Sequence, residues 1–257
     1  MVGMPFMLAL NHYTDGRKDT ADPIPGFPVW IDEEPEFFEI TETDKQQALA
    51  GVSWFLDHAR DGLTLTNAGY LKPVDVEALA AVLPDANRWI GKRNREDHTP
   101  PVSDFRQAMR DFGLVRKLKG QLVLTPAGRR LREHPEELWD WLAKAILFKR
   151  GTFTRDVLLL CMIHIFTGRH RDLDLMAKQL TAMGWAVGNG EAIEPSDLRG
   201  HTLMADALID NMIPTDQSWY HYDWATCRPA RTFAREALAA GRQMPKYEAK
   251  APDKIIY

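Results

Sequence analysis

Cysteine is nearly absent. Cys161 and Cys227 are the only two in 257 residues, too few for a disulfide framework or a zinc knuckle. Long apolar runs are missing too: the longest, Val157 to Phe166, is interrupted by His164 and falls short of the roughly 18 residues that a membrane-spanning helix needs. The opening MVGMPFMLALNHYTDG has a short apolar stretch with no basic flank, unlike a secretory signal. Nor does the chain contain GxxxxGK[ST], GxGxxG, HExxH or GxSxG, the patterns that cradle phosphates, open a dinucleotide fold, hold zinc or present a serine nucleophile. These gaps lead to the expectation of a cytoplasmic protein that has no membrane partner, no cofactor, no metal and no catalytic residue, and so is not an enzyme.

Two further clusters bear on that expectation. Cys161, His164 and His170 could suggest metal ligation, but the first two fall in an apolar helical run, where a buried cysteine and a hydrogen-bonded core histidine are the expected outcome. Glu96, Asp97 and His98 form an acid–base triplet with no accompanying nucleophile motif, so a turn or capping role is expected there.

What the chain does have is an uneven charge. The net charge is −4, yet residues 1–87 hold 5 basic and 15 acidic side chains, residues 88–132 hold 12 and 4, and residues 133–257 hold 15 and 17. The middle block is the natural place for a polyanion contact.

Within that block, LVRKLKGQLVLTPAGRRL (Leu114 to Leu131) reads as two short strands joined by a basic turn and followed by a capped helix. Gly120 supplies a permissive turn backbone, Thr125 caps the next helix, and Pro126 takes its first position. Upstream, PP (Pro100, Pro101) breaks the chain, Ser103 caps a helix DFRQAMRDF, and Gly113 ends it. Phe105, Ala108, Met109 and Phe112 share its inner face, leaving Arg106, Gln107 and Arg110 outside. Helix, basic hairpin and helix together suggest a winged helix.

The rest of the chain divides around this stretch. Residues 1–43, rich in proline and acid, read as an extended arm. From Asp44 to Ala59 a helix is expected to bury Leu49, Val52, Phe55 and Leu56, and a strand LTLT and a helix opened by Lys72-Pro73 follow, with Val74, Leu79 and Val82 inward. Another helix is expected from Ala86 to Arg95. GLTLTNAGYL and GQLVLTPAGRRL share a strand, a Leu-Thr step and an Ala-Gly pair, and WATCRPARTFAREALAAG is a weaker third copy, so a repeat is expected. Beyond Glu133 come helices at ELWDWLAKAILF, VLLLCMIHIFTG, RHRDLDLMAKQLTAMGW, Ser196 to Ile213 and Pro229 to Ala240, and an aromatic strand within Trp219–Thr226. The expected architecture is mainly α: repeated winged-helix-like units, made of helices with short β-hairpin wings, and a helical C-terminal part. Its divisions are an arm at 1–43, two winged-helix-like units at 44–148, a helical or third winged-helix-like unit at 149–241 and a polar tail at 242–257.

LTLTNAGYLKPVDVEAL, then NREDHTPPVSDFRQAMRDFGLVRKLKGQLVLTPAGRRL and ELWDWLA, resemble the helical region found with plasmid pRiA4b ORF-3-like proteins, a mainly actinobacterial group. The resemblance covers about residues 45–240. It implies no activity or catalytic residue, and residues 1–43 are too short to hold the separate ORF-3 domain. The function expected is therefore that of a regulatory DNA-binding protein, contacting double-stranded DNA through the 88–132 block. Arg106, Gln107 and Arg110 would lie at the groove, and Arg116, Lys117, Lys119, Arg129 and Arg130 on the wing and beside it. The alternative is a winged-helix scaffold for a protein partner, contacted through the acidic arm and the aromatic 217–224 stretch.

Overall fold

Among the described residues the first helix starts at Glu42, capped by Thr41. Its hydroxyl accepts the Asp44 N–H while the Asp44 carboxylate accepts the Thr41 N–H, a reciprocal capping box. The computed structural model describes residues 39–148, 152–168, 172–188, 190–213, 227–241 and 255–256. They are mainly helical, with a small three-stranded antiparallel sheet. They fall into two compact units, Ile40–Leu142 with Leu203–Tyr222, and Met1–Glu39 with Ala143–Thr202 and Asp223–Tyr257. Among the described residues no helix is long and apolar enough to cross a membrane.

The first unit runs α1 (Glu42–Ala48), α2 (Ala50–His58), β1 (Leu63–Thr64), α3 (Pro73–Val82), α4 (Pro84–Arg88), a 3-10 turn (Glu96–His98) and α5 (Pro100–Asp111). It continues through β2 (Val115–Leu118), β3 (Gln121–Leu124), α6 (Pro126–Glu133), a second 3-10 turn (Pro135–Glu137) and the start of α7 (Leu138–Ala145). The apolar face of α5 is buried as its spacing requires, through Val102, Phe105, Ala108 and Met109. Phe105 meets Phe55 of α2 edge to face at 5.7 Å, a favourable ring geometry. On α2, His58 bonds Asp75 of α3 at 2.9 Å and stacks on Trp54.

The sheet has the order β1-β3-β2, antiparallel throughout. Lys119 and Gly120, both at positive φ, form the two-residue turn between β2 and β3, the geometry whose twist matches a hairpin. Leu63, Val115, Leu122 and Leu124 are buried. Arg116 and Leu118 alternate onto the other face of β2.

The second unit contains α8 (Thr152–Phe166), α9 (Leu173–Ala182) and β4 (Ala186–Val187). After a 3-10 turn (Pro195–Leu198), the chain returns to the first unit as α10 (Leu203–Ile209), which packs along α5. It then closes the second unit with α11 (Arg228–Gly241), packed on α8, and β5 (Ile255–Ile256), parallel to β4.

Several expectations are corrected. The helix expected from Asp44 to Ala59 is two helices, divided at Leu49. Pro100 and Pro101 start α5 instead of breaking the chain ahead of it, because proline in a first turn lacks only a donor the helix would leave unpaired. The residue before α5 is Thr99, and Ser103 sits inside the helix with its hydroxyl on Pro100 O at 3.0 Å. α4 ends at Arg88, so Trp89 to Arg95 is irregular. Leu79 is buried as expected, but Val74 is 67% exposed and Val82 half-buried, and α3 turns Val76 and Ala80 inward beside Leu79. The helix expected from Ser196 to Ile213 is broken into the 3-10 turn, α10 and a last turn (Asp210–Met212), with Gly200 at φ +83° between the first two. GLTLTNAGYL and GQLVLTPAGRRL are expected in separate repeats. Instead Leu63 pairs with Leu122 and Thr64 with Gln121, so both stretches belong to one sheet. The arm up to residue 38, the aromatic strand within Trp219–Thr226 and nearly all of the tail lie outside the described residues.

Candidate nucleic-acid interface

Four local features hold the hairpin against its helices. Gly113, at φ +74°, ends the run out of α5, and Leu114 N donates to Met109 O at 3.0 Å. Thr125 then closes the far side of the hairpin: its N–H donates to Leu114 O (2.9 Å) and its hydroxyl donates to Gly113 O (2.6 Å). That same hydroxyl accepts the Gly128 N–H at 3.0 Å, the expected cap for α6, which contributes about 1 kcal/mol. Finally, Leu65 N donates to Gly120 O at 2.8 Å, joining the residue after β1 to the hairpin turn.

The loop Thr66–Tyr70 lies against this hairpin. Gly69 has φ +87°, and a Cβ built there would stand 2.7 Å from Lys117 Nζ. A side chain at 69 would therefore displace the lysine as well as strain the backbone. Gly69 O accepts Arg106 Nη1 at 3.3 Å, so loop, β2 and α5 meet at this point.

Arg106 is the residue whose position differs most from expectation. Its Nε faces Glu96 Oε1, in a pair where the arginine side chain is 14% exposed and the glutamate wholly buried. The other Glu96 oxygen accepts the Leu71 N–H. Glu96, the first residue of the acid–base triplet, thus ties α5 to the loop ahead of α3. Of the triplet's other members, Asp97 is exposed and held below the usual carboxylate range, chiefly by the hydrogen bond from Arg95.

The remaining candidates separate by what holds them. Gln107 donates to Asp111 at 3.0 Å and accepts from Arg110 at 3.0 Å, so the outer face of α5 is a chain of mutually bonded groups. Asp104 lies on the same helix, its carboxyl raised by partial desolvation, with the Ser103 hydroxyl pulling the other way. Arg129 donates to Leu124 O at 3.1 Å. Arg130 pairs with Glu137 at 3.4 Å and lies over the Trp141 ring. Arg116, Lys117 and Lys119 are exposed, and among the described residues none of them is in an ion pair.

For metal chemistry, the ligand atoms of His134, Glu136 and Glu137 lie within 4.8 Å of one another at the surface, but Glu137 is the carboxylate that Arg130 engages. In the second unit, Cys161 is buried and His164 bonds Gln179 at 3.1 Å inside the core. His170 lies outside the described residues. The Glu96–Arg106 pair had no signal in the sequence: the two are ten residues apart in different elements, and both belong to types normally exposed. No protein-family model, curated protein or solved structure matches this chain.

Proposed function

We propose that the first unit is a winged-helix module that binds double-stranded DNA, and that the protein acts by binding and not by catalysis. The order helix, strand, helices, hairpin, with the second hairpin strand at the centre of the sheet, supports a winged-helix reading. The observation that carries the nucleic-acid reading is the hairpin itself: Arg116 and Lys117 of β2 and Lys119 of its two-residue turn are exposed, with no ion pair among the described residues. Unpaired cations on a preformed projection suit phosphate contact, because neutralising phosphates releases condensed counterions.

One observation favours the second reading, a scaffold for a protein partner. α5 carries Asp104 and Asp111 on its outer side and uses Arg106 internally, which is a poor surface for a polyanion. Fluorescence anisotropy of the full chain with a short random-sequence duplex, titrated over a salt series, separates the two. The DNA reading expects binding at about 50 mM salt that weakens linearly in log K against log salt. Absence of binding at that salt, where an electrostatic contact is strongest, overturns it in favour of the scaffold.

A further inference from the structure

A winged helix that reads base sequence needs side chains on its recognition helix that can reach a base edge. On α5 the three expected at the groove are each otherwise engaged, and Ser103 bonds Pro100 O and Asp104. Arg106 is turned into Glu96 and Gly69 O, while Gln107 donates to Asp111 and accepts from Arg110. To use any of them the helix would break a bond it already has, and Asp104 and Asp111 would stand among phosphates, where like charge opposes docking. The hairpin has neither impediment.

From this contrast, and resting on the nucleic-acid reading above, we infer that duplex DNA is held by the wing through its phosphates, without base readout by α5, so that the protein binds DNA with no sequence preference. Arg116 and Lys119 make the contact. Lys117 lies at the seam between the wing and the Gly69 loop, where the missing Cβ of Gly69 leaves room for its ammonium group. Arg106 belongs to the support of that seam and not to the DNA surface.

The test is selection from a random-sequence duplex pool with the full chain, followed by anisotropy over a salt series for Arg116→Ala, Lys119→Ala, Gln107→Ala and Arg110→Ala. Arg116, Lys119 and Arg110 are exposed and Gln107 is half-buried, and circular dichroism checks that each variant is folded. Selection should enrich no motif. Each wing variant should flatten the slope of log K against log salt by about 0.9, the value of one phosphate contact, and Gln107→Ala and Arg110→Ala should leave slope and Kd unchanged. An enriched motif whose preference disappears in Gln107→Ala or Arg110→Ala overturns this inference and leaves the DNA reading standing. Failure of the unaltered chain to bind any duplex at about 50 mM salt overturns the reading on which it rests.

Discussion

Gly128 stands so close to Leu114 that a Cβ at position 128 would lie 2.1 Å from the Leu114 carbonyl oxygen. α6 can begin against the hairpin only because this residue has no side chain. The oxygen it approaches also accepts the Thr125 N–H, so it cannot move away without losing that bond.

Gly128→Ala should therefore destabilise the first unit by about 1–3 kcal/mol or more, the range for forcing atoms into a filled site. Gly113→Ala is the comparison: nothing lies within 4 Å of its would-be Cβ, so its cost is the left-handed backbone alone, about 1–2 kcal/mol. Urea unfolding of both variants checks the order. No loss in Gly128→Ala, or a gain, would mean that the close approach contributes nothing, because alanine is favoured over glycine within a helix.

Arg106→Ala leaves Glu96 buried without its cation. Removing one partner of a buried pair typically costs about 3–5 kcal/mol, and the partly exposed arginine places this case toward the lower end. Arg110→Ala removes an exposed arginine of the same helix and should stay within about 0.5 kcal/mol. The difference between the two in urea midpoint measures how far Arg106 is structural. Equal, small effects would contradict the buried pair.

Acid should loosen the second unit through His201. Its Nδ1 lies 2.7 Å from the Thr154 hydroxyl and its ring meets Phe153 edge on, and burial pushes its pKa below the ordinary 6.5. The unfolded chain binds a proton that the folded one resists, so stability rises with pH. His201 makes its full contribution above 6.5, and that contribution is lost as pH falls through 6.5 to the lower folded value. Trp185, packed on Phe153 at 5.1 Å, reports the transition by fluorescence. Between about pH 7.5 and about pH 5 the midpoint should fall further for the unaltered chain than for His201→Asn. An equal fall in both would remove His201 as the cause.

On the DNA reading, the acidic charge of the N-terminal residues should oppose duplex binding at the hairpin. Residues 1–38 carry 2 basic and 7 acidic side chains, and deleting them spares the Thr41 cap. The shortened chain should bind random duplex more tightly at low salt. The gain should fade toward about 1 M salt, where screening reaches only about 3 Å. Anisotropy on both chains measures it. No gain, or a gain independent of salt, would contradict charge shielding.

Sequence alone determined the parts whose partners are neighbours in the chain. Thr125 and Pro126 start α6, Gly120 turns the hairpin, Gly113 ends the α5 run, and the spacing of Phe105, Ala108 and Met109 sets its buried face. Each of these rests on bonds or contacts spanning a few residues, so the residue types carry the information. Tertiary structure decided what is joined across distance. It pairs Leu63 with Leu122 in one sheet, brings α10 back along α5, and turns Arg106 from the expected groove to Glu96. The physical reason is that an arginine on a helix flank looks the same in sequence whether solvent, a phosphate or a buried carboxylate lies opposite. Only the chain's three-dimensional path puts Glu96 within reach of that guanidinium.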